Sequence, residues 1–237
     1  MLAVGLVAGT LGGIDGFGAS VMLMPVLVLV LAFGPREAVP ITAIAAVMAN
    51  LSRVAAWWRE VDWRAAAAYA VSAVPAAAIG ARTLLVLPPR IVDAALGAFF
   101  IAMVGARRWM RQHQLRLRLP HLALAGAGIG FLTGIVASTG PITVPVFLGC
   151  GLVKGAFIAT EAAASLAVYV TKTIVFRSFG ALPLDTAAKG LVTGASLMVG
   201  AFVAKRFVVS MAAASFGLLM DAMLVLSGIA LLATALS

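Results

Sequence analysis

Two carboxylates stand inside apolar stretches of this sequence, where charged side chains are rare. Asp15 lies in the glycine-rich run 12–18, and no other charged residue precedes Arg36. Glu161 lies in the apolar run 157–170. An ionised carboxylate in a hydrocarbon environment is costly, so each must face water, pair with a cation or bind a proton. We therefore predict that Asp15 acts in proton coupling or cation coordination and that Glu161 acts in coupling or gating.

Each carboxylate also has a purely structural interpretation. Asp15 could cap the start of a half-helix by accepting hydrogen bonds from its first N–H groups. Glu161 could lie at the membrane interface in the first turn of its helix, where a negative charge complements the helix dipole. The sequence leaves both alternatives open.

Arg53 and Lys172 occupy nearly equivalent places in the two halves of the chain, and each has polar neighbours such as Asn50 and Thr171. Together they could form a positively charged rim that draws anions into a pathway and takes part in gating. The alternative is that both long side chains extend along apolar surface to the lipid headgroups. The sequence does not decide between these two interpretations.

Two clusters of helix-breaking residues form the candidate substrate site. Glycine and proline lower helix stability by about 1 and about 3 kcal/mol per residue, so both clusters predict interruptions within a membrane helix. The N–H groups at the start of a half-helix form an anion site, and paired broken helices mark substrate sites in transporters. The candidate substrate-binding residues are Gly12, Gly13, Gly16 and Gly18 in the first cluster and Ser138, Thr139, Gly140 and Pro141 in the second.

The elements that must position these residues follow from the composition. Of the 237 residues, 63% are hydrophobic and 11% are charged, which leaves too little polar surface to cover a soluble globule. The apolar stretches are long enough to cross about 30 Å of hydrocarbon and do not alternate, which predicts an all-α integral membrane protein. Its eight predicted segments are 1–33, 38–58, 64–87, 90–110, 120–152, 155–176, 183–204 and 211–236.

An internal repeat groups these segments into two sets of four, in 1–118 and 119–237. A ladder of small residues occurs in both halves, and weaker matches follow in the same order. The ladder residues are Gly5, Gly9 and Gly13 in the first half and Gly126, Gly130 and Gly134 in the second. The long segment that opens each repeat is predicted to be broken or re-entrant; full crossing gives parallel repeats, and re-entry gives inverted ones. Close helix packing is the structural interpretation of the ladders.

The basic residues, which give a formal net charge of +9, lie between apolar segments. They form no tract with interleaved aromatics of the kind that binds nucleic acid, so their expected partner is the anionic cytoplasmic lipid surface. The linker between the repeats has the densest cluster, which the positive-inside rule places in the cytoplasm. Its residues are Arg107, Arg108, Arg111, Arg116 and Arg118.

The sequence contains no motif for catalysis or for a cofactor. Nucleotide-binding, nucleophile-elbow and metal-ligand spacings are absent, so we expect neither enzyme activity nor a cofactor nor a metal. Cys150 is the only cysteine, which excludes an intrachain disulfide.

Four short motifs, spread over most of the chain, are typical of one family of membrane proteins. They are the glycine-rich opening followed by proline, the stretch 38–42 (Ala-Val-Pro-Ile-Thr), the turn 61–64 (Val-Asp-Trp-Arg) and the later run 79–81 (Ile-Gly-Ala). Together they resemble the TauE/SafE sulfite exporter family. The resemblance implies a multi-pass carrier in a bacterial inner (plasma) membrane that exports sulfite, sulfoacetate or related organic anions. Family members commonly have a run of glycines where Asp15 stands here, so an anion nearby would be repelled unless Asp15 is protonated or faces elsewhere.

The leading hypothesis is therefore a transporter that exports a small anion, with protons as a coupling partner. A passive anion channel uses similar helix breaks and is the first alternative. A non-transporting membrane scaffold subunit, in which the glycine ladders serve only packing, is the second. Besides the substrate and the lipid bilayer, a second copy of the chain in a homo-oligomer is a further expected partner.

Overall fold

The computed structural model describes residues 34–112, 117–136, 139–152 and 154–207, with isolated positions between 23 and 27 and between 225 and 233. These residues contain helices and no strand, which confirms the all-α prediction for the described part of the chain. The eight-segment, two-repeat layout stays a prediction, because most of the first and last segments lie outside the described residues. The described helices are α1 (Pro35–Trp57), α2 (Trp63–Val86), α3 (Pro89–Gln112), α4 (Leu119–Ile135), α5 (Gly140–Gly149), α6 (Lys154–Ser178) and α7 (Leu184–Phe207), with a 3-10 turn at Trp58–Glu60.

Local sequence signals define several helix ends. Pro35 opens α1, at a position where the missing N–H costs no hydrogen bond. The Asp62 side chain caps α2 by accepting hydrogen bonds from two backbone N–H groups at 3.0 and 3.1 Å. Gly180 follows α6 with a φ of +72°, a left-handed conformation that favours glycine. These ends lie within a few residues of the predicted segment boundaries.

The predicted segment 120–152 consists of two helices that form a hairpin. α4 ends at Ile135 and α5 begins at Gly140. α5 then returns to the end of the molecule where α4 begins, because the Leu117 N–H donates to the Gly149 carbonyl oxygen at 2.7 Å. The segment therefore contains the predicted break, and the return of α5 favours re-entry over full crossing, which stays a prediction.

Helices that correspond in the two predicted repeats run in opposite directions. The end of α1 lies beside the start of α6, where Arg53 contacts Glu161. The start of α1 lies beside the start of α7, where Lys189 Nζ is 2.9 Å from Glu37 Oε1. α1 corresponds to α6 and α2 corresponds to α7 in the predicted repeat. Their antiparallel arrangement is the one that inverted repeats require.

Three of the described helices have the length and apolar composition to cross a membrane. They cover Glu37–Glu60, Trp63–Val86 and Gly155–Ser178. Exposed tryptophans gather at the turn between the first two, at Trp57, Trp58 and Trp63, as tryptophans do at a membrane surface. The start of α2 packs against the start of α4. Arg118, which directly precedes α4, therefore lies at the same end of the bundle as this aromatic turn.

α2 and α4 pack together through small residues. A Cβ atom added at Gly126 would lie 2.6 Å from the Tyr69 carbonyl oxygen, and one added at Gly134 would lie 2.5 Å from the Ala77 carbonyl oxygen. Any larger side chain would force the two helices apart. The second glycine ladder is therefore a packing surface, and the first ladder, 5–13, lies outside the described residues.

Candidate functional site

An ion pair lies between the facing surfaces of α1 and α6. Arg53 Nη1 donates to Glu161 Oε2 at 2.9 Å, and the two side chains are 18% and 5% exposed. Arg53 Nη2 also donates to Asn50 Oδ1. The Ser165 hydroxyl donates to Glu161 Oε1 at 2.7 Å. Each ionised group is therefore held in orientation by a polar neighbour on its own helix.

Helical spacing brings these four side chains together. Asn50 and Arg53 are three residues apart on α1, and Glu161 and Ser165 are four residues apart on α6, so each pair occupies one helix face. The Asn50 amide also donates to the Ala46 carbonyl oxygen at 2.8 Å, which satisfies its second polar atom. Because α1 and α6 are antiparallel neighbours, the two polar faces meet within an apolar bundle.

A small cavity lies beside the ion pair and is lined mostly by polar side chains. The volume open to the centre of a water molecule is about 20 Å³, so the cavity can hold one water molecule. An oxyanion, which is larger, requires the walls to move apart. The lining residues are Asn50, Arg53, Tyr69, Thr133, Thr139, Gly140, Thr143, Glu161, Ser165, Val168 and Tyr169.

The break between α4 and α5 forms one wall of this cavity. The Thr133 hydroxyl lies 2.6 Å from the Thr139 hydroxyl, which lies 3.5 Å from the Thr143 hydroxyl. The Thr133 and Thr143 hydroxyls donate to the carbonyl oxygens of Ile129 and Thr139 at 2.7 and 3.0 Å. A hydroxyl group of this wall must therefore turn away from its present acceptor to donate to an anion, whereas water can bind to it as a donor. α5 begins at Gly140, and the side chain of its N-cap residue, Thr139, makes no capping hydrogen bond within the described residues. The positive end of the α5 dipole is therefore directed towards the cavity.

Lys172 lies behind this wall and is fully buried. Its Nζ donates to the carbonyl oxygens of Thr133 and Val136, both at 2.6 Å. These carbonyl groups end α4, so the ammonium group neutralises the negative end of the helix. The rings of Tyr169 and Phe176 lie 5.9 and 5.7 Å from Nζ. Lys172 is thus an interior helix cap, and it neither contributes to a charged rim nor reaches the headgroups.

One buried donor of the site has no partner among the described residues: Arg53 Nε makes no hydrogen bond there. A buried N–H group left unsatisfied costs about 1–3 kcal/mol. A guanidinium group presents its N–H groups in a planar fork that matches two oxygens of a carboxylate or a similar oxyanion. This unpaired donor is the feature of the site that most directly indicates a ligand.

The structure brings together the predicted residues that it describes. Arg53 and Glu161 form the ion pair, and Glu161 is buried and lies beyond the first turn of α6. Thr139 and Gly140 line the cavity, and Pro141 stands in the first turn of α5. The remaining predicted site residues lie outside the described residues. They are Gly12, Gly13, Asp15, Gly16, Gly18 and Ser138.

Sequence reasoning missed several cavity residues, namely Tyr69, Thr133, Thr143, Ser165 and Tyr169. A signal for some of them was present on α6. Glu161, Ser165, Val168 and Lys172 follow the spacing of a single helix face, which is polar in three of the four positions. Tyr69 and Thr133 have no such signal, because their roles depend on contacts between distant segments.

Comparison with known proteins gives one match. Residues 1–231 match the family model described as sulfite exporter TauE/SafE, so the match includes every helix described above. No curated protein and no solved structure matches the chain significantly. The family suggests a membrane transporter of sulfite or related anions, which agrees with the apolar helices, the broken hairpin and the buried arginine. The chain belongs to the TauE/SafE sulfite exporter family.

Proposed function

We propose that the chain is a secondary carrier that binds a small sulfur-containing or organic oxyanion beside Arg53 and exports it across the inner membrane. The observation that carries the proposal is that Arg53 lines a cavity while its buried Nε has no partner in the described part of the chain. Sulfite, sulfonates and carboxylates all present charged oxygens that a guanidinium group binds through two N–H groups.

The re-entrant hairpin supplies further groups for such a substrate. Thr139 and Gly140 line the same cavity as Arg53, and Pro141 follows them in the first turn of α5. In the proposal the glycines of 12–18 and Ser138 complete this site from residues that the structure does not describe.

Proton coupling is a separate part of the proposal and is assigned to Asp15 and Glu161. Asp15→Asn fixes a neutral side chain of nearly the same shape, so we expect anion counterflow to persist while net transport loses its pH dependence. A variant with wild-type pH dependence would identify Asp15 as a helix cap and leave Glu161 as the coupling candidate.

Transport by purified protein in liposomes tests the main proposal. Vesicles loaded with labelled sulfite or sulfoacetate should release it only when the protein is present, and Arg53→Gln should reduce the rate at least about tenfold, as expected for losing hydrogen bonds to a charged group. Arg82→Gln is the matched control, since Arg82 is exposed and stacks on Phe179. Absence of flux across a panel of sulfonates, sulfite and small carboxylates would refute the proposal.

The position of the site has its own test. Gly140→Leu and Gly16→Leu should each abolish flux while leaving the yield of folded protein nearly unchanged, because a bulky side chain would occupy the proposed binding space. Retained flux in both variants would place the substrate elsewhere.

A further inference from the structure

The proposed anion site already contains an anion, the Glu161 carboxylate. Arg53 donates to Glu161 through Nη1 and to Asn50 through Nη2, and its Nε makes no hydrogen bond within the described residues. A substrate that binds Nε and a remaining N–H group of Nη1 or Nη2 therefore shares the guanidinium group with Glu161 and Asn50.

Glu161 cannot turn away from the cavity without losing a second contact. The Ser165 hydroxyl, one helical turn further along α6, holds its Oε1 at 2.7 Å while Arg53 holds its Oε2. The carboxylate is only 5% exposed, so water screens its charge poorly. A second negative charge bound beside Arg53 would interact strongly with this fixed one.

We infer that Glu161 competes with the substrate for Arg53 and thereby sets the charge selectivity of the site, favouring monoanions over dianions. The inference rests on the proposed function. Repulsion from a fixed carboxylate grows with each negative charge of the substrate, whereas the attraction of one guanidinium group is already partly neutralised by Glu161.

The other charged groups nearby do not reverse this difference. Lys172 attracts any anion from behind the hairpin wall, but its ammonium group is engaged by the carbonyl oxygens that end α4. Tyr69 and Tyr169, which also line the cavity, are uncharged side chains. The attraction by Arg53 and the repulsion by Glu161 are therefore the two interactions that decide between monoanions and dianions.

Two substrates of nearly the same shape isolate the effect of charge. Isethionate is a monoanion, and sulfoacetate, in which a carboxylate replaces the alcohol, is a dianion at pH 7.5. Uptake of each labelled compound is measured in proteoliposomes whose membrane potential is clamped at zero with potassium and valinomycin. The readout is the ratio of kcat/KM for sulfoacetate to kcat/KM for isethionate.

Neutralising the carboxylate should raise this ratio. In Glu161→Gln we expect an increase of about tenfold or more, the scale of one partly screened charge pair a few ångströms apart. Glu161→Asp keeps the charge and is the matched control, with a ratio close to that of the wild type. Asn50→Asp adds a negative charge on the other side of Arg53 and should lower the ratio by a similar factor, so the inference stays testable if Glu161→Gln does not fold.

The outcomes separate the inference from the proposed function. Flux of both compounds with the same ratio in the wild type, Glu161→Gln and Asn50→Asp would overturn the role of Glu161 and leave the carrier in place. Absence of protein-dependent flux of either compound in the wild type would remove the carrier itself, and the inference with it. Opposite shifts of the ratio in Glu161→Gln and Asn50→Asp would establish it.

Discussion

The interface of α2 with α4 and the interface of α1 with α6 differ in chemistry. The first is made of glycine and alanine backbones in contact, with distances that leave no room for a Cβ atom at Gly126 or Gly134. The second buries an arginine, a glutamate and an asparagine. Lipid offers no hydrophobic gain for bringing helices together, so close backbone packing is what holds membrane helices in place.

The comparison shows that stability and function use different residues in this bundle. Charged groups within a membrane are expensive and are retained where they bind or move an ion. The α2–α4 interface fixes the hairpin, and the hairpin presents its break to the polar face of α1 and α6. Variants in the two interfaces should therefore fail in different ways.

The largest effect is expected from Gly130→Leu in the α2–α4 interface. A Cβ atom at Gly130 would lie 2.6 Å from the Ala73 Cα atom, so the helices must separate, at a cost of about 3 kcal/mol or more. Thermal unfolding in detergent should show loss of most of the folded protein. Gly128→Ala on the same helix is the control, because that glycine faces open space, and it should be neutral or stabilising.

Arg53→Gln should destabilise the α1–α6 interface by about 3 kcal/mol, because it leaves a buried glutamate charge without its partner. The double variant Arg53→Gln with Glu161→Gln should recover most of this loss, since no charge remains. Unfolding measurements on the single and double variants give the coupling energy. Recovery of transport in the double variant would contradict the role assigned to Arg53.

Lys172 belongs to α6 and contacts the end of α4, so Lys172→Met should affect both interfaces. It leaves two buried carbonyl groups at the end of α4 without a donor, which costs about 1–3 kcal/mol. We expect lower thermal stability and a smaller transport rate per folded molecule. A variant of normal stability with no transport would instead make Lys172 a substrate ligand.

The smallest and most diagnostic effects should come from two serine-to-alanine changes. Ser72 on α2 donates to the Ala123 carbonyl oxygen on α4, so Ser72→Ala should lower stability by about 1 kcal/mol and leave transport per folded molecule unchanged. Ser165→Ala frees one oxygen of Glu161 and should change KM with little effect on stability. If both variants change KM equally, the two interfaces are not functionally distinct.

The helices were predictable because long apolar segments, prolines and capping residues are local signals. The boundaries of α1, α2 and α6 differ from the predicted segments by a few residues, and the hairpin break follows Gly134 as the cluster of glycine, serine and proline predicted. The return of α5 is seen in the contact of Leu117 with Gly149. No local sequence pattern predicts a contact between residues so far apart.

The site was predictable only in part, for a physical reason. The cost of burying a charge in an apolar segment marked Glu161 as a candidate, although the sequence also allowed a structural position in the first turn of its helix. Its partner Arg53 lies 108 positions away, and sequence spacing suggested a rim shared with Lys172 instead of a pair with Glu161. Charge pairing across a bundle depends on which helix faces meet, and that is decided by packing.

Because α5 returns to the end of the molecule where α4 begins, the single cysteine of the chain can report the membrane topology of this hairpin. Cys150 directly follows α5 and is partly exposed. In a full crossing it would meet the solution on the side opposite the basic linker, whereas in a re-entrant hairpin it meets the same side. A membrane-impermeant maleimide, added to sealed vesicles of either orientation, can distinguish these two cases on the unmodified sequence.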